Sequence, residues 1–154
     1  MIRIPITSDG GEWLCPDTLR LQLAITNTTN SEQMFSALDP MCLIHRLRIF
    51  MAGTLVEDVM YANRVNELMR AMSPAGTNSN DAVEGFGVQN EDYVSAANTA
   101  ELFALLTGNS ITVSVRLNRV SGVLSCGKDF PLRFAPLTLK IELADGDLFM
   151  DTRN

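Results

Sequence analysis

Thr18-Leu19-Arg20-Leu21-Gln22-Leu23-Ala24-Ile25-Thr26 repeats with a period of two. Leu19, Leu21, Leu23 and Ile25 share one side, while Arg20, Gln22 and Ala24 share the other. Successive side chains of a strand point to opposite faces, so the pattern predicts a β-strand with one buried face. Leu43-Ile44-His45-Arg46-Leu47-Arg48-Ile49-Phe50 repeats the theme, with Leu47 and Ile49 inward and Arg46 and Arg48 outward. Ser110-Ile111-Thr112-Val113-Ser114-Val115-Arg116-Leu117 and Leu137-Thr138-Leu139-Lys140-Ile141-Glu142-Leu143 alternate in the same way. Arg3-Ile4-Pro5-Ile6-Thr7 is a further strand, and Pro5, which cannot donate to a ladder, assigns it to a sheet edge. Leu132-Arg133-Phe134 reads as a short strand. Five or six strands, each apolar on one face and joined by long loops, exclude βαβ alternation and predict an antiparallel sandwich.

Two helices are expected between the strands. Val56, Met60, Val65, Leu68, Met69 and Met72 recur at steps of three and four, which predicts an amphipathic helix of about four turns. Glu57 and Asp58 would sit in its first turn, against the positive end of the dipole. Ser73-Pro74-Ala75-Gly76 ends it. A short second helix is predicted from Asn98 as cap, Glu101 three residues later, and Leu102, Phe103, Leu105 and Leu106 as the apolar face. Ser8-Asp9-Gly10-Gly11 reads as a turn in which the glycines take positive φ. Residues 122–128 read as a tight connection of small residues, and Asp145-Gly146-Asp147 as another turn. Residues 27–30 and 77–93 are read as exposed polar loops.

The chain has 154 residues, the size of one domain, with 46% hydrophobic and 19% charged residues. That balance excludes intrinsic disorder. Twelve basic and 18 acidic residues give a formal charge of −6, and the basic ones are scattered. A nucleic-acid or membrane-surface footprint is therefore not expected. Met1-Ile2-Arg3-Ile4-Pro5 does not resemble a secretory leader, and no run approaches the ~18 apolar residues of a membrane span. The sequon Asn27-Thr28-Thr29 is accordingly expected to go unused. Cys15, Cys42 and Cys126 are odd in number and far apart, so they are read as small buried hydrophobes rather than a disulfide or zinc set.

Residues for catalysis are sparse. His45 is the single histidine, lies inside an apolar strand, and is read as structural. No nucleophile elbow, phosphate loop, dinucleotide fingerprint or zincin motif occurs. The carboxylate pairs are Glu57/Asp58, Glu91/Asp92 and Asp145/Asp147. Asn78, Asn80, Asp81 and Glu84 do not have the spacing of a calcium loop. Met60, Met69 and Met72 are assigned to core packing in preference to a partner groove. The expectation is no catalytic, metal-binding or cofactor-binding residue.

Several segments together carry a resemblance. Arg3-Ile4-Pro5-Ile6-Thr7-Ser8-Asp9-Gly10-Gly11-Glu12-Trp13-Leu14, followed by Leu19-Arg20-Leu21-Gln22-Leu23, is similar to the opening of one viral family. So are Arg46-Leu47-Arg48-Ile49, Gly53, Val56-Glu57-Asp58-Val59, Tyr61, Asn63-Arg64-Val65 and Glu84-Gly85-Phe86. The run from Gly122 through Pro131-Leu132-Arg133-Phe134-Ala135-Pro136-Leu137 to Glu142-Leu143 is similar as well. In order and spacing these resemble major capsid proteins of small double-stranded DNA viruses and virophage-like elements of the polinton group. The resemblance implies a jelly-roll capsid protein of the lineage that stacks two jelly rolls per subunit and forms trimeric capsomers. It carries over no catalytic residue. A double jelly roll needs two sandwiches, so residues 1–154 are expected to be a single, incomplete jelly-roll domain. It would belong to the first jelly roll of a longer protein, or to a truncated or endogenised copy.

The function this implies is a structural subunit of an icosahedral shell, in the virion and not secreted. Its partners would be copies of itself and neighbouring capsid proteins, with loops 27–39 and 77–93 in contact. A stand-alone β-sandwich module binding a ligand or carbohydrate is the alternative, marked by exposed aromatics or acids, although aromatics are only 6%. A cupin-like metalloenzyme would need several histidines for its metal.

Overall fold

A computed structural model describes residues 1–28, 33–36, 40–73, 104–105, 108–145 and 150–153. Strands β1 (Ile2–Ile6), β2 (Trp13–Leu14), β3 (Arg20–Thr26) and β4 (Gln33–Ser36) form the outgoing side of a long ribbon. Strands β7 (Ala104–Leu105), β8 (Ser110–Arg116), β9 (Phe130–Pro131) and β10 (Leu137–Leu143) form the returning side. The pairing is nested and antiparallel, β1 with β10, β2 with β9, β3 with β8 and β4 with β7. A ribbon wound in this nested order gives jelly-roll pairings. Between the two sides, β5 (Ile44–Met51) and β6 (Thr54–Met60) form a hairpin. Strand β5 also pairs with β10, so the largest sheet runs β1-β10-β5-β6. Strand β11 (Met150–Arg153) pairs with β4. The expected all-β, antiparallel class is the class observed, and Pro5 lies on an edge strand as its chemistry requires.

Register explains the core. Leu139 stands opposite both Ile4 and Ile49, and Ile141 opposite both Ile2 and Leu47. Leu47, Ile49, Leu137, Leu139 and Ile141 are all buried. They meet Val115 and Leu117 from the β8 segment, with Met41, Leu124 and Leu132 filling in. Leu21 and Leu23 of β3 pack against the same cluster. The sheet and the β3–β8 ladder therefore enclose one core, in which each buried aliphatic side chain contributes roughly 1.5–3 kcal/mol. The strand pattern of burial in β3 alternates without a break, as its sequence predicts.

The segment from Val56 corrects the sequence reading. Residues Thr54–Met60 are strand, and the helix α1 covers only Ala62–Ala71. The cause is the two-residue turn before it. Ala52 and Gly53 take φ of 47° and 82°, and Met51 pairs directly with Thr54. Two positive-φ residues make the type I′ turn whose twist suits a hairpin. Once β5 is folded back this way, ladder hydrogen bonds to β5 outweigh the helical spacing of Val56 and Met60. Alanine is a poor occupant of that turn. Replacing it (Ala52→Asn) should raise stability by about 0.5–1 kcal/mol, read as a higher urea midpoint.

Other differences are local. Gly10 and Gly11 form the expected bend, but neither has positive φ. The short strand expected at 132–134 lies instead at Phe130–Pro131, and 132–134 form the turn after it. Of the second predicted helix, Ala104 and Leu105 are strand, paired to β4, and 98–103 and 106–107 lie outside the described residues. Loop 77–93, with its Asn78, Asn80, Asp81, Glu84 and Glu91/Asp92, also lies outside them, as do Gly146 and Asp147. Asn27 is not in an open loop. It is fully buried, its backbone N–H donates to Asn109 O at 3.0 Å, and its carbonyl accepts from Gly108 N at 2.9 Å.

Candidate assembly surfaces

The outer face of the β1-β10-β5-β6 sheet is a grid set by register. One row across it is Arg3, Lys140, Arg48 and Asp58. The next is Glu142, Arg46 and Met60, and on the other side lie Pro5, Thr138, Phe50 and Leu55. Arg46 grips Asp58 with two bonds, Nε to Oδ1 at 2.8 Å and Nη2 to Oδ2 at 2.6 Å. Arg48 donates to Glu142. Lys140 Nζ sits 4.2 Å from the centre of the Phe50 ring, a cation–π contact. Four cations thus share one face with two carboxylates, in a chain that is acidic as a whole.

The paired donors of Arg46 pull the Asp58 carboxyl below its ordinary value, and the same bonds raise the Arg46 guanidinium. A lowered folded-state pKa contributes stability above the ordinary carboxylate range and loses it as pH falls through the lowered value. Asp58→Asn should therefore lower the pH 7 midpoint slightly, since the pair is solvent-exposed, and should converge with wild type at pH 3, which flattens the acid limb. Urea melts at pH 7 and pH 3 check this.

Glu57 does different work from its neighbour. It stands opposite Ile49, on the inner side of the edge strand β6. Its carboxylate accepts from Ser121 Oγ, from Gly122 N at 2.8 Å and from Val123 N at 3.3 Å. Ser121 is buried, and its Oγ accepts in turn from Leu124 N at 3.1 Å. Neither Glu57 nor Asp58 is at a helix start, so the expected dipole role is replaced by two long-range contacts.

Helix α1 also reverses expectation. It packs on β5 and on the 3₁₀ turn Pro40–Leu43. The residues it buries are Ala62, Asn63 and Asn66, whereas Leu68 and Met72 are 60% and 66% exposed. Met60 and Met69, expected in the core, are exposed as well. The Asn63 side-chain oxygen accepts from Arg64 N at 2.9 Å, and Asn66 Nδ2 is buried with no hydrogen-bond partner among the described residues. At the helix entrance Tyr61 holds φ at 55°, with His45 edge-on at 5.0 Å and the Arg64 guanidinium 5.1 Å from its ring. His45, read from the sequence as structural, is thus placed against an aromatic ring.

The second exposed apolar region is a corner of the ribbon. Leu14 and Phe130 are directly paired and pack on the core, so Trp13 and Pro131 face outward. Trp13 is 64% exposed, and Phe134, in the turn after β9, is 78% exposed. Arg133 covers the Phe134 ring at 5.8 Å. Cys15 and Cys126 lie on either side of this region in sequence and are exposed free thiols, contrary to the buried role expected of them; Cys42 is fully buried. Strand ends and turns, not core strands, carry the two exposed sulfurs.

No protein-family model matches the sequence, and no curated protein matches it. Among the described residues no group of three or more His, Cys, Asp or Glu side chains is placed to hold a metal ion. No described helix is long and apolar enough to cross a membrane. The sequence pattern placed Arg46 and Arg48 on the outer face and missed the exposed α1 face and the Trp13 corner. Asn63 and Asn66, at i and i+3, share one face of the helix, but a polar face reads from sequence as the solvent side, so no signal there disclosed its burial.

Proposed function

We propose that this chain is a shell-building subunit, a jelly-roll element of a viral capsid, whose work is self-association in the virion rather than catalysis. The nested β1–β10, β2–β9, β3–β8 and β4–β7 pairing carries the reading, because it is the winding that the resembled capsid family requires. Exposed Leu68 and Met72, one turn apart at the end of α1, and exposed Trp13 and Phe134 at the β2–β9 corner support it, since exposed apolar patches mark contact surfaces. Sedimentation of the purified 154-residue chain tests it. The expected result is an oligomer, with trimers the informative species, and a monodisperse monomer at every concentration would overturn it.

The exposed Trp13 and Phe134 favour a second reading, a sandwich module that stacks a sugar or other ligand on an aromatic corner. A saturable change in tryptophan emission on adding oligosaccharides, with no change in mass, would select that reading. Fold alone does not choose between them.

A further inference from the structure

We infer that copies of this chain meet head to tail, the acidic aromatic corner at β2–β9 of one copy seating on the cationic outer face of the β1-β10-β5-β6 sheet of the next. The inference rests on the shell-building reading and names the two surfaces that reading needs.

The acceptor is the row Arg3, Lys140 and Arg48, three cations on three neighbouring strands in direct register. Like charges directly opposite one another are destabilising within a sheet. Arg48 is answered by Glu142 and Arg46 by Asp58, but among the described residues no carboxylate pairs with Arg3 or Lys140. Two positive charges are left over on a surface edged by exposed Met60 and Leu55. That face has room for carboxylates and for apolar side chains together.

The corner offers both. Trp13 and Phe134 project from it, and the alternation that buries Leu14 and Phe130 fixes the projection. Glu12 and Asp129 flank the paired residues, and both are exposed. Ser8 Oγ donates to Glu12 at 2.6 Å, which orders that carboxylate. The two segments joined at this corner, 9–17 and 128–133, carry Asp9, Glu12, Asp17 and Asp129 against Lys128 and Arg133, two net negative charges. Charge and apolarity match the sheet face in sign and in mixture. The two surfaces are different parts of the molecule, so the contact is heterologous and repeats around a ring if the rotation closes.

Trp13 is the single tryptophan, so its emission reports directly on this contact. The full chain is followed by sedimentation and fluorescence against concentration. The wild type should associate with a shift of emission to shorter wavelength. Arg3→Glu with Lys140→Glu in one variant, and Glu12→Lys with Asp129→Lys in another, should each weaken association on the order of tenfold or more. Mixing the two variants should restore it, because each supplies the surface the other has reversed. Thermal melts check that both variants fold, which is expected because all four substitutions are on outward-facing side chains. If the wild type associates while Trp13 emission stays fixed, or mixing restores nothing, the head-to-tail contact is overturned and the shell reading stands. If the wild type is monomeric throughout, both are overturned.

Discussion

Glu57→Ala should cost about 3 kcal/mol and lower the melting temperature, although residue 57 lies on an edge strand and is only half-buried. Its carboxylate is the common acceptor for Ser121 Oγ and for the backbone N–H groups of Gly122 and Val123. Hydrogen bonds to a charged acceptor contribute about 1.5–3 kcal/mol each, and three sharing one acceptor are not additive. Truncation leaves these donors without their acceptor at the border of the core, beside the buried Leu124. Water can reach Gly122 but not Ser121, which is 1% exposed, so most of the penalty falls on the hydroxyl. Ser121→Ala in the Glu57→Ala background should recover part of the loss, because it removes the stranded group. Glu57→Gln should fall between wild type and alanine, since it keeps one acceptor oxygen and gives up the charge. Chemical denaturation of the four proteins measures each step. Equal midpoints for Glu57→Ala and wild type would show that the carboxylate does not hold the 121–124 turn.

The same residue shows where sequence reading stops. Local pattern was enough for β3, β5, β8 and β10, because each has one face in a single core and the alternation of its own residues records that. It was enough for Pro5 at an edge, because a missing N–H is a property of the residue itself. It failed at Glu57-Asp58, where acids before a periodic run suit a helix dipole as well as they suit a strand. The partners that decide the matter are Arg46, across a hairpin, and Ser121, Gly122 and Val123, more than 60 residues away. Alanine at the αL position of the turn hid the hairpin, since Asn-Gly would have announced it. The helical spacing of Leu68 and Met72 recorded an apolar face correctly but assigned it to the wrong side, because two asparagines face the protein instead. Contact surfaces were thus the least legible part: an apolar stripe looks the same whether it is covered by its own chain or by another.

Leu139→Ala should be the most damaging of the conservative truncations, at about 3–4 kcal/mol, and Ile4→Ala in the next strand should cost well under half of that. The difference follows from position. Leu139 is 2% exposed on the central strand β10, paired on one side to Ile4 and on the other to Ile49. Ile4 is on the edge strand β1 and only partly buried, so solvent and side-chain motion can fill its absence. A cavity at Leu139 has no such relief, since Ile49 and Leu137 are fixed in register around it and the β3–β8 side closes the other wall. Ile49→Ala should cost a similar amount alone. The double substitution should cost less than the sum, because the two side chains line one space and the second truncation enlarges an existing void. Denaturant midpoints at constant slope give the four free energies of the cycle. Strict additivity would separate the two residues into independent packing sites and contradict the single core. The nested ribbon adds a kinetic consequence. Strand β10 meets β1 only after most of the chain between them has been placed, and such distant pairings form late. Leu139→Ala should therefore act mainly by speeding unfolding, with a smaller change in the folding rate.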